Sequence, residues 1–507
     1  MKKIINILAL GAVVSLFASC DLDLMPNNAI AYNPEQIVES ASDLTGFENG
    51  MFAYFRGTQY GVYNIASEVM CDGFNAMADF GNNYGSIHRT DNSFSATDYD
   101  AEDHWENIYH AIMRYNVVIN GLKVNVPADL QKAAAVVRGE GYFFRADSYL
   151  RLVRLYGKAY AHSTPSSDLG VPLVLEYDQT ARPARNTIQE VYDQIKADLD
   201  SAAVLLAGVP GKVRAQKPTI DAVNALYARY YLDIKDYSNA ASYAQNVISS
   251  AAGYALSSTA EAMQKEWIND EGNEPVLQLY ATYAERPNRN YDAWTNTGRD
   301  PEHGDYFRPY FIPSNNLMKL YEENDLRLAQ WFDKGDYEVF FNSDYHSDLF
   351  YVFTKYLGNP ALRSTPEAVP DGYQAVKPIL ISEMYLIAAE ANLAANNTSA
   401  AKTALNALQT ARGASATDAN AANIHNEWFK ETVGQGYRMV CLKRWNEGFS
   451  SRPGQAGAVA AGALAQGAAY ETKSLPAGDF HYQWPIPSHE FEVNDNLVQN
   501  PGYSAAE

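Results

Sequence analysis

The chain has 507 residues, long enough for one large or two ordinary domains, so core size is not limiting. Its 47% hydrophobic and 20% charged residues are the composition of a globular protein. A net charge of −21 gives a long-range field of the wrong sign for nucleic acid or anionic lipid and excludes a nucleic-acid partner from the expectations. The informative excess is aromatic: 12% of residues, with 36 Tyr.

Taken in order, Met1 to Ser19 reads as a secretory leader. It has a basic start (Lys2, Lys3), an apolar run from Ile4 to Phe17 and a small-residue end, and is too short for a stable membrane span. LFASC resembles a lipobox that makes Cys20 the lipidated first residue of the mature chain, and several acyl chains on one residue anchor stably where one does not. Residues 20–34 then form a tether to one domain over 35–507. A first helix carries Leu44, Phe47, Met51 and Phe55 on one stripe behind Ser42 or Asp43 as cap. Periodicity is lost over 57–104, which is rich in Gly, Asn, Asp and aromatics; irregular stretches of this length are commonly functional.

Helical hairpins follow over 105–157, 185–250 and 378–413. In the first, Trp105 to Leu122 pairs with a helix from Leu130 to Gly157. Its stripe is Leu130, Ala134, Val137, Gly141, Phe144, Ser148, Leu152 and Leu155, with Arg138, Arg145, Arg151 and Arg154 on other faces. Gly139 and Gly141 inside it cost about 1 kcal/mol each against Ala, which implies a backbone pressed close to a neighbour. Turns fall at Lys235-Asp236 and Asn396-Asn397. The pattern is mostly α, with about four degenerate tetratricopeptide-type hairpins and no strict 34-residue period. Between them 251–376 is a long, loop-rich region. The Gly/Ala-rich stretch 453–469 reads as a mobile loop. Cys71 and Cys441 are not placed together by any spacing, and Cys441, in an apolar run, reads as a buried small hydrophobe.

RGEGYFFRADSYLRLVRLYG, then GVPLVL, then RNTIQEVYDQIKADLDSA resemble the core of the SusD/RagB family, and HYQWPIPSHEFEVNDNLVQNPGY (481–503) resembles that family's ending. The resemblance implies a SusD-like fold in a surface lipoprotein of a Gram-negative outer membrane. Such a protein captures nutrients, mostly glycans, for a SusC-like TonB-dependent transporter, and the acidic DLDL after Cys20 would direct it to the cell surface. LMKLYEENDLRLAQWF (Leu317 to Phe332) resembles a family helix that ends in an Asp-x-Arg element, here Asp325 and Arg327, which implies one helix over that stretch. Where relatives have an acidic–arginine pair, a Gly-Glu-Gly turn and an Asp, this chain has Glu427-Trp428, Gly434-Gln435-Gly436 and Cys441, which implies replaced structural ion pairs.

No nucleophile elbow, zinc-protease helix, phosphate loop or dinucleotide fingerprint occurs, so no catalytic residue, cofactor or metal is expected. Asp98, Asp100, Glu102 and Asp103 echo a calcium loop, but Asp103 sits where the turn needs Gly, and helix capping ahead of Trp105 accounts for them better. Sugar rings stack on aromatic faces and pair their hydroxyls with amides, carboxylates and guanidiniums. In relatives the site is formed by loops of two regions, which correspond here to Phe74 to Phe94 and Tyr291 to Tyr310. Trp294, Tyr291, Tyr306, Phe80 and Tyr84 are the expected platforms, and Asp72, Asn82, Asn83 and Arg89 the expected polar contacts. Trp105, Trp445 and Trp484 are assigned to structure. Glycan is the expected ligand, with peptide, as in the RagB branch, the alternative.

Overall fold

Ser40 opens the first helix, α1 (Ala41–Gly57), through a capping box with Asp43, two residues before the earlier of the two expected cap positions. The computed structural model describes residues 38–178 and 180–505, so the leader, Cys20 and the tether to residue 34 lie outside it. The helices that follow are α2 (Val62–Val69), α3 (Gly85–Arg89), α4 (Tyr99–Gly121), α5 (Gln131–Tyr156), α6 (Ile188–Leu205), α7 (Ile220–Asp233), α8 (Tyr237–Ile248), α9 (Ala260–Trp267), α10 (Asn315–Met318), α11 (Leu326–Trp331), α12 (Ile381–Ala394), α13 (Thr398–Ala411), α14 (Ala421–Glu431), α15 (Tyr437–Trp445), α16 (Ala456–Ala460) and α17 (Ser488–Val493). The short strands are β1 (Phe74–Ala76), β2 (Pro275–Leu277), β3 (Thr297–Asp300), β4 (Gly304–Phe307), β5 (Phe311–Pro313), β6 (Phe332–Asp333), β7 (Glu338–Phe341), β8 (Asp344–His346), β9 (Val352–Phe353) and β10 (Ile379–Leu380). No described helix is long and apolar enough to cross a membrane.

The body is a row of antiparallel helix pairs: α5 packs on α4 and α6, α7 on α8, and α12 on both α8 and α13. Local chemistry fixes the ends. Asp98 caps α4 by accepting from the amides of Asp100 and Ala101, Thr187 and Glu190 form a capping box on α6, and Asp236 and Asn397 cap α8 and α13. Lys235 and Asn396 hold the left-handed conformation that reverses each hairpin. The two glycines of α5 do what their cost implies. A methyl at Gly139 would lie 2.9 Å from Leu205 and Leu206, and one at Gly141 3.0 Å from Ile119. The α5 arginines are part of the interior: Arg145 pairs with Asp198 and Arg154 with Asp233.

Three expectations fail in instructive ways. Region 57–104 is not structureless, because α2 buries Tyr63 through Val69 on every side and so shows no amphipathic period. The single helix over Leu317 to Phe332 is two short ones, and Asp325 caps the second by accepting from the Arg327 amide. Stretch 453–469 is not a free loop: Ala458, Ala463 and Leu464 are buried, and its small side chains bring it against β1, with the Ala465 amide donating to Ala76 O (3.0 Å) and the Ala78 amide to Ala463 O (2.8 Å).

The long middle region is joined to the last hairpin by a buried charge network. Arg327, wholly buried, pairs with Asp325 (2.8 Å), Glu427 (2.6 Å) and Glu431 (2.9 Å). Arg412 pairs with Glu431 (2.5 Å) and Glu274 (2.8 Å), and Lys430 with Glu427 (2.9 Å). Burial works to raise the Glu431 carboxyl, but the guanidiniums of Arg412 and Arg327 overcome it and hold it at about 2. Glu427 therefore keeps its ion pairs although Trp428 follows it. Arg444, one turn beyond Cys441, takes Glu390 as partner (2.8 Å), and Cys441 itself is a buried free thiol, as is Cys71. Nearby, Glu68 of α2 accepts from the amides of Gly436 (2.8 Å) and Tyr437 (3.0 Å) at the start of α15, yet burial dominates and pushes its carboxyl up to about 7.

Two outcomes follow from these charges. Arg327→Ala strands buried carboxylates and lowers stability by about 3–5 kcal/mol in urea titration. Glu68→Gln has little effect below pH 4.5, where the carboxyl is protonated folded or unfolded. It raises stability by about 1–3 kcal/mol above pH 7, because the folded wild type is penalised by ionisation as pH rises from 4.5 to 7; paired melts at pH 4 and pH 8 check it.

Candidate functional site

β1 pairs antiparallel with β5, with Phe74, Asn75 and Ala76 opposite Pro313, Ile312 and Phe311. The Met77 amide continues the ladder to Tyr310 O (2.8 Å). This short pair sets the two ring-rich segments, 74–94 and 291–310, side by side. Beneath it Phe74 stacks on Trp294 (centroids 4.2 Å apart), which also meets Phe353 edge-on at 5.7 Å.

That arrangement corrects four of the expected contacts. Trp294 is 0% exposed and forms the floor under the ladder, so its ring has no face to offer a ligand. Of its polar neighbours Asp292, Asn296 and Thr297 are partly exposed, whereas Thr295 is buried with Ala293 and Trp294. Tyr291 is buried, and its hydroxyl donates to Pro370 O (2.9 Å) and bonds Thr297. Phe80 packs against Phe311 (5.8 Å) and Tyr470 (6.2 Å). Asp72 is taken up by a two-pronged pair with Arg438 (2.8 and 3.0 Å).

The other five lie at the surface or partly exposed. Arg89 donates to Asn82 (2.6 Å), Asp91 (2.9 Å) and Ser93 (3.2 Å), and Asn83 donates to Phe80 O (2.7 Å), so these polar groups brace their own loop. Tyr84 is half-buried in a left-handed backbone conformation. Burial first, then the charges of Asp100 and Asp292, raise its phenol above the ordinary range.

Tyr306 leads to a feature that sequence reading missed. Strands β3, β4, β7 and β8 form one four-stranded sheet, with β4 parallel to β7 and the other neighbours antiparallel. Side chains alternate along β7: Val339 and Phe341 are buried, while Glu338 and Phe340 face out. On that outer face Tyr306 lies 5.8 Å from Phe340 and 5.2 Å from Tyr345, and His303 stacks on Tyr345 at 3.9 Å. Gly298 is required here, since a methyl in its place would come within 2.4 Å of the Tyr306 ring. Arg308 links the sheet to the loop: its guanidinium lies 5.5 Å from the centre of the Phe340 ring and 3.8 Å from Asp79. The alternation of EVFF over 338–341 was the available signal, but a four-residue strand is too short to stand out in a loop-rich region.

The assembly is a helical-hairpin scaffold that carries an open ring-faced sheet beside an Asn-rich loop. Its relatives agree with the scaffold. A SusD-like family model described as starch-binding and associating with the outer membrane matches residues 22–232, and the SusD family model matches 235–503. The chain belongs to the SusD family. It is 28% identical over 259 residues to SusD-like protein P2 of Formosa agariphila; the match takes in 50% of this chain and 48% of that one, so the chain spans about half the length of the curated relative it matches. Among solved structures, a SusD superfamily protein from Bacteroides thetaiotaomicron superposes with a TM-score of 0.73 at 23% identity, over 91% of this chain and 99% of that one. A laminarin binding SusD-like protein superposes with a TM-score of 0.70 at 19% identity, over 92% and 100%.

If Trp294 is the floor of the site, Trp294→Ala costs about 3–5 kcal/mol in denaturant titration. Trp294→Phe costs much less, since it keeps the stack and removes a buried indole N–H that has no partner among the described residues. An exposed platform would give changes within about 0.5 kcal/mol for both.

Proposed function

We propose that the chain is a glycan-binding protein that captures oligosaccharide on the outer face of the β3–β4–β7–β8 sheet and the adjoining 79–84 loop. The observation that carries this reading is the row of partly exposed rings, Tyr306, Phe340 and Tyr345, beside the Arg308–Asp79 pair. Sugar C–H faces stack on such rings, and the guanidinium and carboxylate pair the ring hydroxyls. Tyr84, Asn82, Asn83 and Arg89 stay in the proposal as contacts at its edge, whereas Trp294, Tyr291, Phe80 and Asp72 enter it only as supports. The family model's starch-binding description and the laminarin binding neighbour favour glycan over peptide as the ligand class.

In this reading Cys20 anchors the chain by lipid to the outer membrane, and the hairpin body docks on a SusC-like TonB-dependent transporter that takes up the captured glycan. The protein holds its ligand without cleaving it.

Titration calorimetry against laminarin, starch oligosaccharides and a peptide library tests the proposal. Tyr306→Ala and Phe340→Ala each weaken glycan binding about two- to tenfold, in line with roughly 0.5–1.5 kcal/mol for a stacking contact, while melting temperatures stay near wild type. Binding of peptides and of no glycan would transfer the site to the peptide alternative, and release of shorter sugars during the titration would make the protein an enzyme.

A further inference from the structure

The ring row of the proposed surface is set among charges, and strand register decides which of them share its face. In the parallel β4–β7 pair Tyr306 stands opposite Glu338, and in the antiparallel β7–β8 pair Phe340 stands opposite Tyr345. In β3–β4 Gly298 stands opposite Tyr306, so alternation along β3 puts Asp300, two residues on, on the same side. The three rings therefore share their face with two carboxylates.

Both carboxylates are held in place. Glu338 Oε2 accepts from His303 Nδ1 (2.6 Å), and the His303 ring lies flat on Tyr345, 3.9 Å away and 8° from parallel. Asp300 Oδ1 accepts from the amides of Glu302 (2.8 Å) and His303 (3.1 Å), and these bonds hold its carboxyl below the ordinary carboxylate range. The two fields meet at Tyr345, whose phenol is pushed up by burial first, then by Asp300, with Tyr306 and Glu338 adding less. Glu302, exposed in the turn between β3 and β4, is a third negative charge at this end. The Arg308 guanidinium lies beyond the far end of β4, over Phe340, where Asp79 faces it at 3.8 Å.

A sugar hydroxyl can donate to such carboxylates, whereas a sugar carboxylate or sulfate brings acceptors alone and a charge of the same sign. Like charges placed across a binding surface suppress the wrong partner. The rings make no such distinction, because stacking uses C–H faces that neutral and charged sugars share. We propose, resting on the glycan reading of this sheet, that its ligand is a neutral glycan. Asp300 and Glu338, the latter steadied by His303, are the residues that turn away sugar acids and sulfated sugars.

Calorimetric titration of the full chain with laminarin and with sulfated laminarin compares one polymer with and without charge. At low ionic strength the sulfated form binds at least about tenfold more weakly. The gap narrows as salt is raised to about 0.5 M, where the Debye length falls to about 4 Å. In Glu338→Gln the ratio of the two affinities falls at least about threefold, and it falls further in Glu338→Gln/Asp300→Asn, with melting temperatures near wild type. What sulfation removes by bulk is common to all three proteins and to both salts, so the change in ratio reports charge. Equal or tighter binding of the sulfated polymer to the wild type would overturn the proposal and leave the glycan reading standing, as would a ratio unmoved by the double substitution. Binding of neither polymer would remove the glycan reading and this specificity with it.

Discussion

Three residue pairs hold the proposed surface together. Without the antiparallel contact of Phe74–Ala76 with Phe311–Pro313, two segments more than two hundred residues apart in sequence would have no reason to meet. So short a ladder is marginal by itself. Here it is closed on one side by residues 463–465, which bond to Ala76 and Ala78, and from below by the Phe74–Trp294 stack. Burying the large rings is what frees the smaller set, Tyr306, Phe340 and Tyr345, to stand on a firm support at the surface. A capture surface needs such rigidity, since side chains ordered in advance lose less entropy when a ligand arrives.

The same division of labour runs through the whole fold. Helix pairs supply a body whose interior holds many charges, and several of them are paired with a residue of a different element: Arg145 with Asp198, Arg229 with Glu383, and Arg327 and Arg412 with the shared carboxylate of Glu431. Such pairs add little net stability over apolar packing, but breaking one is costly. They act as registration pins between elements joined by long, irregular connections.

Much of the body could be read from residue order alone, because its signals are local. The stripe on α5, the cost of Gly139 and Gly141, the turns at Lys235 and Asn396 and the capping role of Asp98 all depend on neighbours within a few residues. The surface was less legible. Trp294 sits among Asp292, Thr295, Asn296 and Thr297, a polar setting that pointed outward, yet its burial is decided by Phe74 and Phe353, which are remote in sequence. Asp72 looked free until Arg438 arrived from the C-terminal part, and the four-stranded sheet required strands of three or four residues to find one another across loops. Long-range partners set these outcomes, and no period or motif announces them.

Backbone hydrogen exchange of the full chain with and without laminarin tests the central claim most directly. The account predicts slowed exchange confined to the 79–84 loop and strands β3, β4, β7 and β8, with the α5–α8 body unchanged. Protection centred on the hairpin body, with the ring-faced sheet unaffected, would contradict it.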